Sequence, residues 1–181
     1  MTVAPTTWAV TLAEVRSQIK SDSTDDDTHV TRLYKAAIDD VHEYTNRRLM
    51  TATYELHLSA WPSAGIVLPY SPVASITSVK YYDTDSAEQT VTATNYDYDI
   101  YEEPCIITPD DNYTWPSLDV DKRMPITVTF VVGYTSPETV PEALKQAVLL
   151  RVTDYYEHRD SLPRDRFSAW QRSAYPYRVF Y

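Results

Sequence analysis

Hydrophobic positions along this chain keep two different periods, and the change between them divides it into three parts. In "TLAEVRSQIK", Leu12, Val15 and Ile19 recur at helical spacing, and Thr11 precedes Glu14 by the three residues of a capping box. A short first helix is predicted there. The polar run "SDSTDDDT" ends it. Beyond that run Val30, Leu33, Tyr34, Ala37, Val41 and Tyr44 recur at three and four, predicting a long second helix that starts with Asp27 or Thr28 as its cap and reaches about Leu49. Asp25 to Asp27 stand at the positive end of its dipole, Arg47 and Arg48 near the negative end. The acidic cluster is read as capping, because it lacks the alternating ligands, central glycine and terminal glutamate of a calcium loop.

From Thr51 the period becomes two. "TYELHLSA" sets Tyr54, Leu56 and Leu58 against Glu55, His57 and Ser59, and "NYDYDIY" sets Tyr96, Tyr98 and Ile100 against Asn95, Asp97 and Asp99. Further strands are predicted at Ile66 to Leu68, Ile76 to Tyr82, Cys105 to Thr108 and Ile126 to Tyr134, with turn-rich stretches such as "DTDSAE" and "PDDNYTWPS" between them. Short strands so closely spaced favour antiparallel pairing. "TSPETVPEALKQAVLLRVTDYYEHRD" then returns to helical spacing. Thr139 and Glu142 stand at capping-box distance, Pro141 falls in the first turn, and Leu144, Ala147, Val148, Arg151, Val152 and Tyr155 follow one face. With Leu149, Leu150 and Tyr156 this helix is apolar nearly all round, which predicts burial on two sides, one of them against another subunit. A short helical stretch is expected near Arg164 to Ser173, stopped by Pro176. The fold class is therefore α+β: a small helical bundle with an antiparallel β region inserted at about 51–134, helices at about 11–49 and 139–160, and an extended C-terminal arm at about 161–181, all in one domain of 181 residues.

Composition narrows what such a fold does. The formal charge of −10 argues against general nucleic-acid binding, which needs clustered Lys and Arg. Residues 161–181 nonetheless carry +3, which makes the tail a basic aromatic strip on an acidic body. Only two glycines are present, Gly65 and Gly133, where average usage of about 7% would give about 13. Dinucleotide, P-loop and nucleophile-elbow motifs each need glycines this chain does not have. No run of about 18 apolar residues would span a bilayer, and the N-terminus has neither the basic start nor the apolar block of a signal peptide, so a soluble protein kept inside a cell is expected. Cys105, the single cysteine, sits beside Ile106 and Ile107 and reads as a buried thiol.

Candidate chemistry is sparse. His29, His42, His57 and His158 form no metal-ligand spacing, so neither a metal nor a cofactor is expected. Asp97 and Asp99 share a strand face but read as solvated acids, and Asp154 with His158 at i and i+4 reads as an ion pair or subunit contact. No nucleophile accompanies them, and an enzyme is not expected. The sixteen tyrosines suit interfaces as well as strands. The chain's last dozen residues, "WQRSAYPYRVFY", carry five aromatics and two arginines. A flexible arm of that composition would repay its ordering cost by burying aromatic anchors on a partner; the other reading folds it back over its own subunit.

The order of these parts resembles the head-tail connector, or adaptor, proteins of tailed bacteriophages, the gp6-like and phiE125 gp8-like group. The likeness lies in "LAEVRSQIKSDSTDDDTHVTRLYKAAIDDVHEYTNRRL", "TYELHLSAW", "ITVTFVVGY" running to "VPEALKQAVLLRVTDYYEHR", and "YPYRV", and covers most of residues 11–181. The resemblance implies a structural virion neck protein, assembled in the host bacterial cytoplasm. It would form a ring, commonly of twelve copies, beneath the portal protein and offer its other face to a stopper, head-closure or tail-terminator protein. Genomic DNA would pass through the lumen without specific binding, and no membrane would be involved. On this reading Trp170, Tyr175, Pro176, Tyr177, Arg178, Val179, Phe180 and Tyr181 dock onto the portal, while Arg151, Tyr155, Tyr156 and His158 face a neighbouring subunit. The alternative is a Tyr-rich β recognition module, either carbohydrate-binding or accessory to a tail fibre.

Overall fold

The computed structural model describes every residue except Asp22, Ser23, Asp25 and 159–166. The chain forms two compact units. The helical unit comprises Thr6–Met50 and Tyr134–Val179, and the β unit comprises Met1–Pro5, Thr51–Gly133 and Phe180–Tyr181. The α+β class and the antiparallel β insert are as the periodicities indicate.

In the helical unit, α1 (Leu12–Ile19) begins at the expected box: Glu14 N donates to Thr11 Oγ1 at 3.2 Å and Thr11 N donates to Glu14 Oε2 at 2.7 Å. Helix α2 (Asp27–Thr45) buries Val30, Tyr34, Ala37, Ile38 and Val41 along one stripe. It stops four residues before Leu49 because Asn46 turns left-handed at φ 55°, a conformation asparagine tolerates better than most residues. Asp27 is not a cap. It lies inside the first turn and pairs with Arg16 of α1, with Arg16 Nε donating to its Oδ1 at 2.7 Å. Asp25 lies outside the described residues.

Helix α3 (Glu142–Glu157) also starts differently from expectation. Thr139 is used one turn earlier, closing a box with Ser136 around the 3-10 turn Pro137–Thr139, and Pro141 stands at the N-cap. Its apolar circumference has an explanation within the subunit: α3 packs against α1, α2 and α4 (Ala169–Ala174) together, so burial on several sides needs no second chain. The start of the helical stretch expected from Arg164 lies outside the described residues. What is described is the helix α4, capped by Ser168 and Gln171, and the 3-10 turn Tyr175–Tyr177. The C-terminal segment is thus more folded than an extended arm.

The β unit holds β1 (Ala52–Leu58), β2 (Ile66–Val67), β3 (Val73–Tyr82), β4 (Glu88–Val91), β5 (Tyr96–Tyr98), β6 (Ile106–Pro109) and β7 (Ile126–Val132). One sheet has the order β1-β7-β3-β4 and the other β2-β6-β5, every pair antiparallel. In β7, Ile126, Val128, Phe130 and Val132 point inward and are fully buried, which the alternation of "ITVTFVV" predicts. Strand β4, "EQTV", gives no such signal: three of its residues are exposed, and only Val91 reaches the core opposite Val79. Cys105 is fully buried, and burial pushes its thiol up to about 11.

Gly65 precedes β2 with φ +92°, and a Cβ there would lie 2.7 Å from Ile106 Cγ2 and 2.9 Å from the Ile107 carbonyl oxygen on β6. Both the dihedral and the neighbouring backbone oppose a side chain, so Gly65→Ala is expected to destabilise the β unit by about 2–3 kcal/mol. The check is a urea unfolding curve of the full chain read by far-UV dichroism; an unchanged midpoint would contradict it.

Candidate assembly surface

The C-terminal segment is held to the helical unit by a ladder of rings and charges. Its base is Asp40 on α2, whose Oδ2 accepts from Arg151 Nε and from Tyr155 OH, each at 2.6 Å. The Arg151 guanidinium then lies 4.3 Å from the Tyr155 ring centroid and 5.2 Å from that of Trp170. Trp170 meets Tyr44 edge to face at 5.3 Å, and Arg178 sits 5.1 Å from the Tyr44 ring. Backbone bonds complete the clamp. Val179 N donates to the Thr45 carbonyl at 3.0 Å, satisfying one of the carbonyls left open at the end of α2. Asn46 Nδ2 donates to Val179 O at 2.9 Å, Arg47 Nε to Tyr177 O at 2.6 Å, and Ser173 Oγ to Ala143 O at 2.8 Å.

This geometry divides the residues expected to dock onto a portal. Trp170 and Val179 are 6% and 4% exposed inside their own subunit and cannot anchor a partner in this conformation. Trp170 belongs to the core of the helical unit, and Val179 is bonded through its backbone to Thr45 and Asn46. Tyr177 is half-buried. Tyr175, Pro176, Arg178, Phe180 and Tyr181 remain at the surface, with Tyr175 53%, Phe180 63% and Tyr181 56% exposed. Phe167, which composition did not single out, meets Tyr175 edge to face at 5.7 Å.

Of the residues expected at a subunit boundary, Arg151 and Tyr155 are engaged by Asp40, Tyr156 is half-buried, and His158 is exposed. His158 Nδ1 lies 3.2 Å from the Asp154 backbone carbonyl, so this contact of the ring is with the backbone rather than the carboxylate. Desolvation raises the Asp154 carboxyl, opposed by the charges of Arg151 and His158. Asp97, in β5, accepts from the neighbouring Tyr98 N, and Asp99 accepts from Tyr101 N in the turn that follows, each at 2.8 Å. The β unit's aromatics mostly spend their faces on one another. Trp61 and Trp115 stack at 4.4 Å and 7°, with Tyr81 and Tyr113 edge-on to them. Asp40, Tyr44, Asn46 and Arg47 hold the tail and carry no local sequence signal for that task.

The model of the head completion protein family matches residues 9–168. No curated protein matches the chain in sequence. Among solved structures the chain is similar to one in the virion of a native gene transfer agent (GTA) particle, with TM-score 0.79 and 23% identity over 100% of this chain and 97% of that one. It is likewise similar to a chain in the neck of an empty GTA particle computed with C6 symmetry, with TM-score 0.77 and 22% identity, again over 100% and 97% of the two chains. A chain in the neck of a native GTA particle computed with C12 symmetry gives 0.73 and 24% over the same shares. At these identities the three show a common fold. The match along residues 9–168 shows more: the chain belongs to the head completion protein family and is a structural part of the virion's head-tail connection, not an enzyme.

Proposed function

We propose that this protein works in the neck as a ring of copies, twelve in the full assembly, seated beneath the portal protein and presenting its other face to a stopper, head-closure or tail-terminator protein. The occurrence of the same fold in particle necks computed with C6 and C12 symmetry supports a ring. Portal docking falls to the exposed part of the C-terminal segment: Tyr175, Pro176, Arg178, Phe180 and Tyr181. The observation that carries this is the clamp. Bonds from Thr45, Asn46 and Arg47 fix the backbone through Val179, so large exposed aromatics are presented on an ordered segment and binding forfeits little conformational entropy. Repetition around a ring turns a modest contact per copy into a lasting one. The exposed His158 and the half-buried Tyr156 beside it face a neighbouring copy. The acidic body, −10 over the chain, lets genomic DNA pass the lumen without adhering.

The test is a triple variant, Tyr175→Ala, Phe180→Ala and Tyr181→Ala. It is expected to unfold within about 1 kcal/mol of the parent, since exposed positions contribute little to stability, and to lose co-sedimentation with isolated portal rings. Undiminished binding would exclude the docking role.

A further inference from the structure

The helical unit carries an open groove of about 390 Å³ whose lining includes Thr7, Trp8, Val10, Thr11, Leu12 and Tyr34. Its apolar wall is rigidly built. Tyr34 OH donates to the Val10 carbonyl and accepts from Val10 N at 3.2 Å, and Trp8 leans on the Tyr34 ring at 5.6 Å while staying 44% exposed. Thr31 is shared with an adjoining cleft that also contains Asp27, Thr28, Arg32 and Lys35. The Asp27 carboxylate is occupied by Arg16, so Arg32 and Lys35 set the sign of that cleft, and the Lys35 ammonium stands 5.8 Å from the Trp8 ring centroid. The Glu14 carboxylate at the α1 end of the groove is bonded by Thr11, and the α2 end, with Arg32 and Lys35 beside it, fits an acidic segment bearing an aromatic knob.

The β unit has such a segment in the connection between β5 and β6. Asp99, Ile100, Tyr101 and Glu102 are all exposed, Ile100 at 38% and Tyr101 at 87%. The loop keeps its own shape: Asp99 Oδ1 accepts from Tyr101 N, and Glu102 N donates to Asp99 O at 3.3 Å. A tyrosine held this far out on a preformed acidic turn is a ready anchor for a complementary surface. Two different, complementary patches on one chain make a head-to-tail contact, the kind that closes into a ring.

We infer that Tyr101 and Ile100 of one copy enter the Trp8 groove of the next copy, with Asp99 and Glu102 against Arg32 and Lys35 of that copy. The inference rests on the ring reading above and names the contact that builds it. The test uses assembled particles carrying Tyr101→Cys together with Thr7→Cys, a groove-lining position; the natural Cys105 is buried and does not interfere. Oxidation is expected to give a ladder of disulfide-linked multimers, which neither single variant gives. In parallel, the mass of the neck subassembly released from parental particles reports the copy number. Many copies without a ladder would overturn the loop-in-groove contact and leave the ring standing; one copy would overturn both. Charge reversal gives an independent readout should the cysteine pair fail to assemble. Lys35→Glu is expected to cut incorporation into particles about tenfold, and adding Glu102→Lys to restore most of it, as coupled neighbours do. Absence of rescue would also overturn the contact.

Discussion

Trp170→Ala is expected to lower the stability of the helical unit by about 3–5 kcal/mol, the usual range for truncating a buried indole. Trp170 is 6% exposed, edge-on to Tyr44 and adjacent to the Arg151 guanidinium, so its removal empties the middle of the ladder that joins the tail to α2 and α3. Arg151 and Asp40 would keep their own bond, but Tyr44 would lose a ring partner and α4 its only large buried side chain. Trp170→Phe retains the edge contact with Tyr44 and is expected to cost less than half as much. Urea unfolding of the full chain, followed by far-UV dichroism, measures both. A loss below about 1 kcal/mol for the alanine variant would show the indole lying in solvent, as a free arm would have it. The same experiment tests the part of the tail that composition leaves open: whether the segment up to Val179 stabilises its own subunit.

Acid is expected to loosen this clamp through His42. Its Nε2 accepts from Leu49 N at 3.1 Å, a bond that requires the neutral ring and fixes the turn carrying Asn46 and Arg47. Burial pushes its pKa down from 6.5 to about 3, with the Arg48 charge adding to the effect. An unfolded chain therefore takes up a proton near pH 6.5 and the folded chain does not until about pH 3. The unfolded state binds more protons throughout that window, so stability is fully present above pH 6.5 and falls as pH is lowered through it. Part of the residue reaches solvent, which moderates the effect; a loss of about 2 kcal/mol between pH 6.5 and 4.5 is expected. The carboxyls of Glu14 and Glu138 are held below their usual range, by Thr11 and Ser136 respectively, and they destabilise only at still lower pH. The raised Asp154 carboxyl acts with the opposite sign, so the share of His42 is read from a variant rather than from the parent slope. His42→Gln retains an acceptor for Leu49 N and should flatten the slope of unfolding free energy between pH 6.5 and 4.5. An equally steep slope in that variant would assign the acid sensitivity elsewhere.

How much of this was legible in the chain depends on how far apart the interacting residues lie. The α1 cap at Thr11 and Glu14, the stripe of α2, the apolar face of α3 and the alternation of β1 and β7 are all written within a few residues, because capping and side-chain periodicity are local properties of the backbone. Where a local rule allowed two outcomes, packing chose. Thr139 closed its box with Ser136 rather than Glu142, α2 stopped at Asn46 rather than running to Leu49, and "EQTV" became an edge strand on the strength of its register with β3 alone.

The tail shows the limit most clearly. By itself the sequence determined an α+β chain with an acidic body and an aromatic, basic end. Only the tertiary structure decided which of those aromatics are internal. Asn46 and Arg47 hold backbone 133 and 130 residues away, and Asp40 pairs with Arg151 at a separation of 111. An aromatic side chain gains by burial against any apolar surface, and its own letter does not say whose. The partner is settled by which surface the rest of the fold brings within reach: Tyr44 of α2 and Arg151 of α3 for Trp170, while Tyr175, Phe180 and Tyr181 stay more than half exposed.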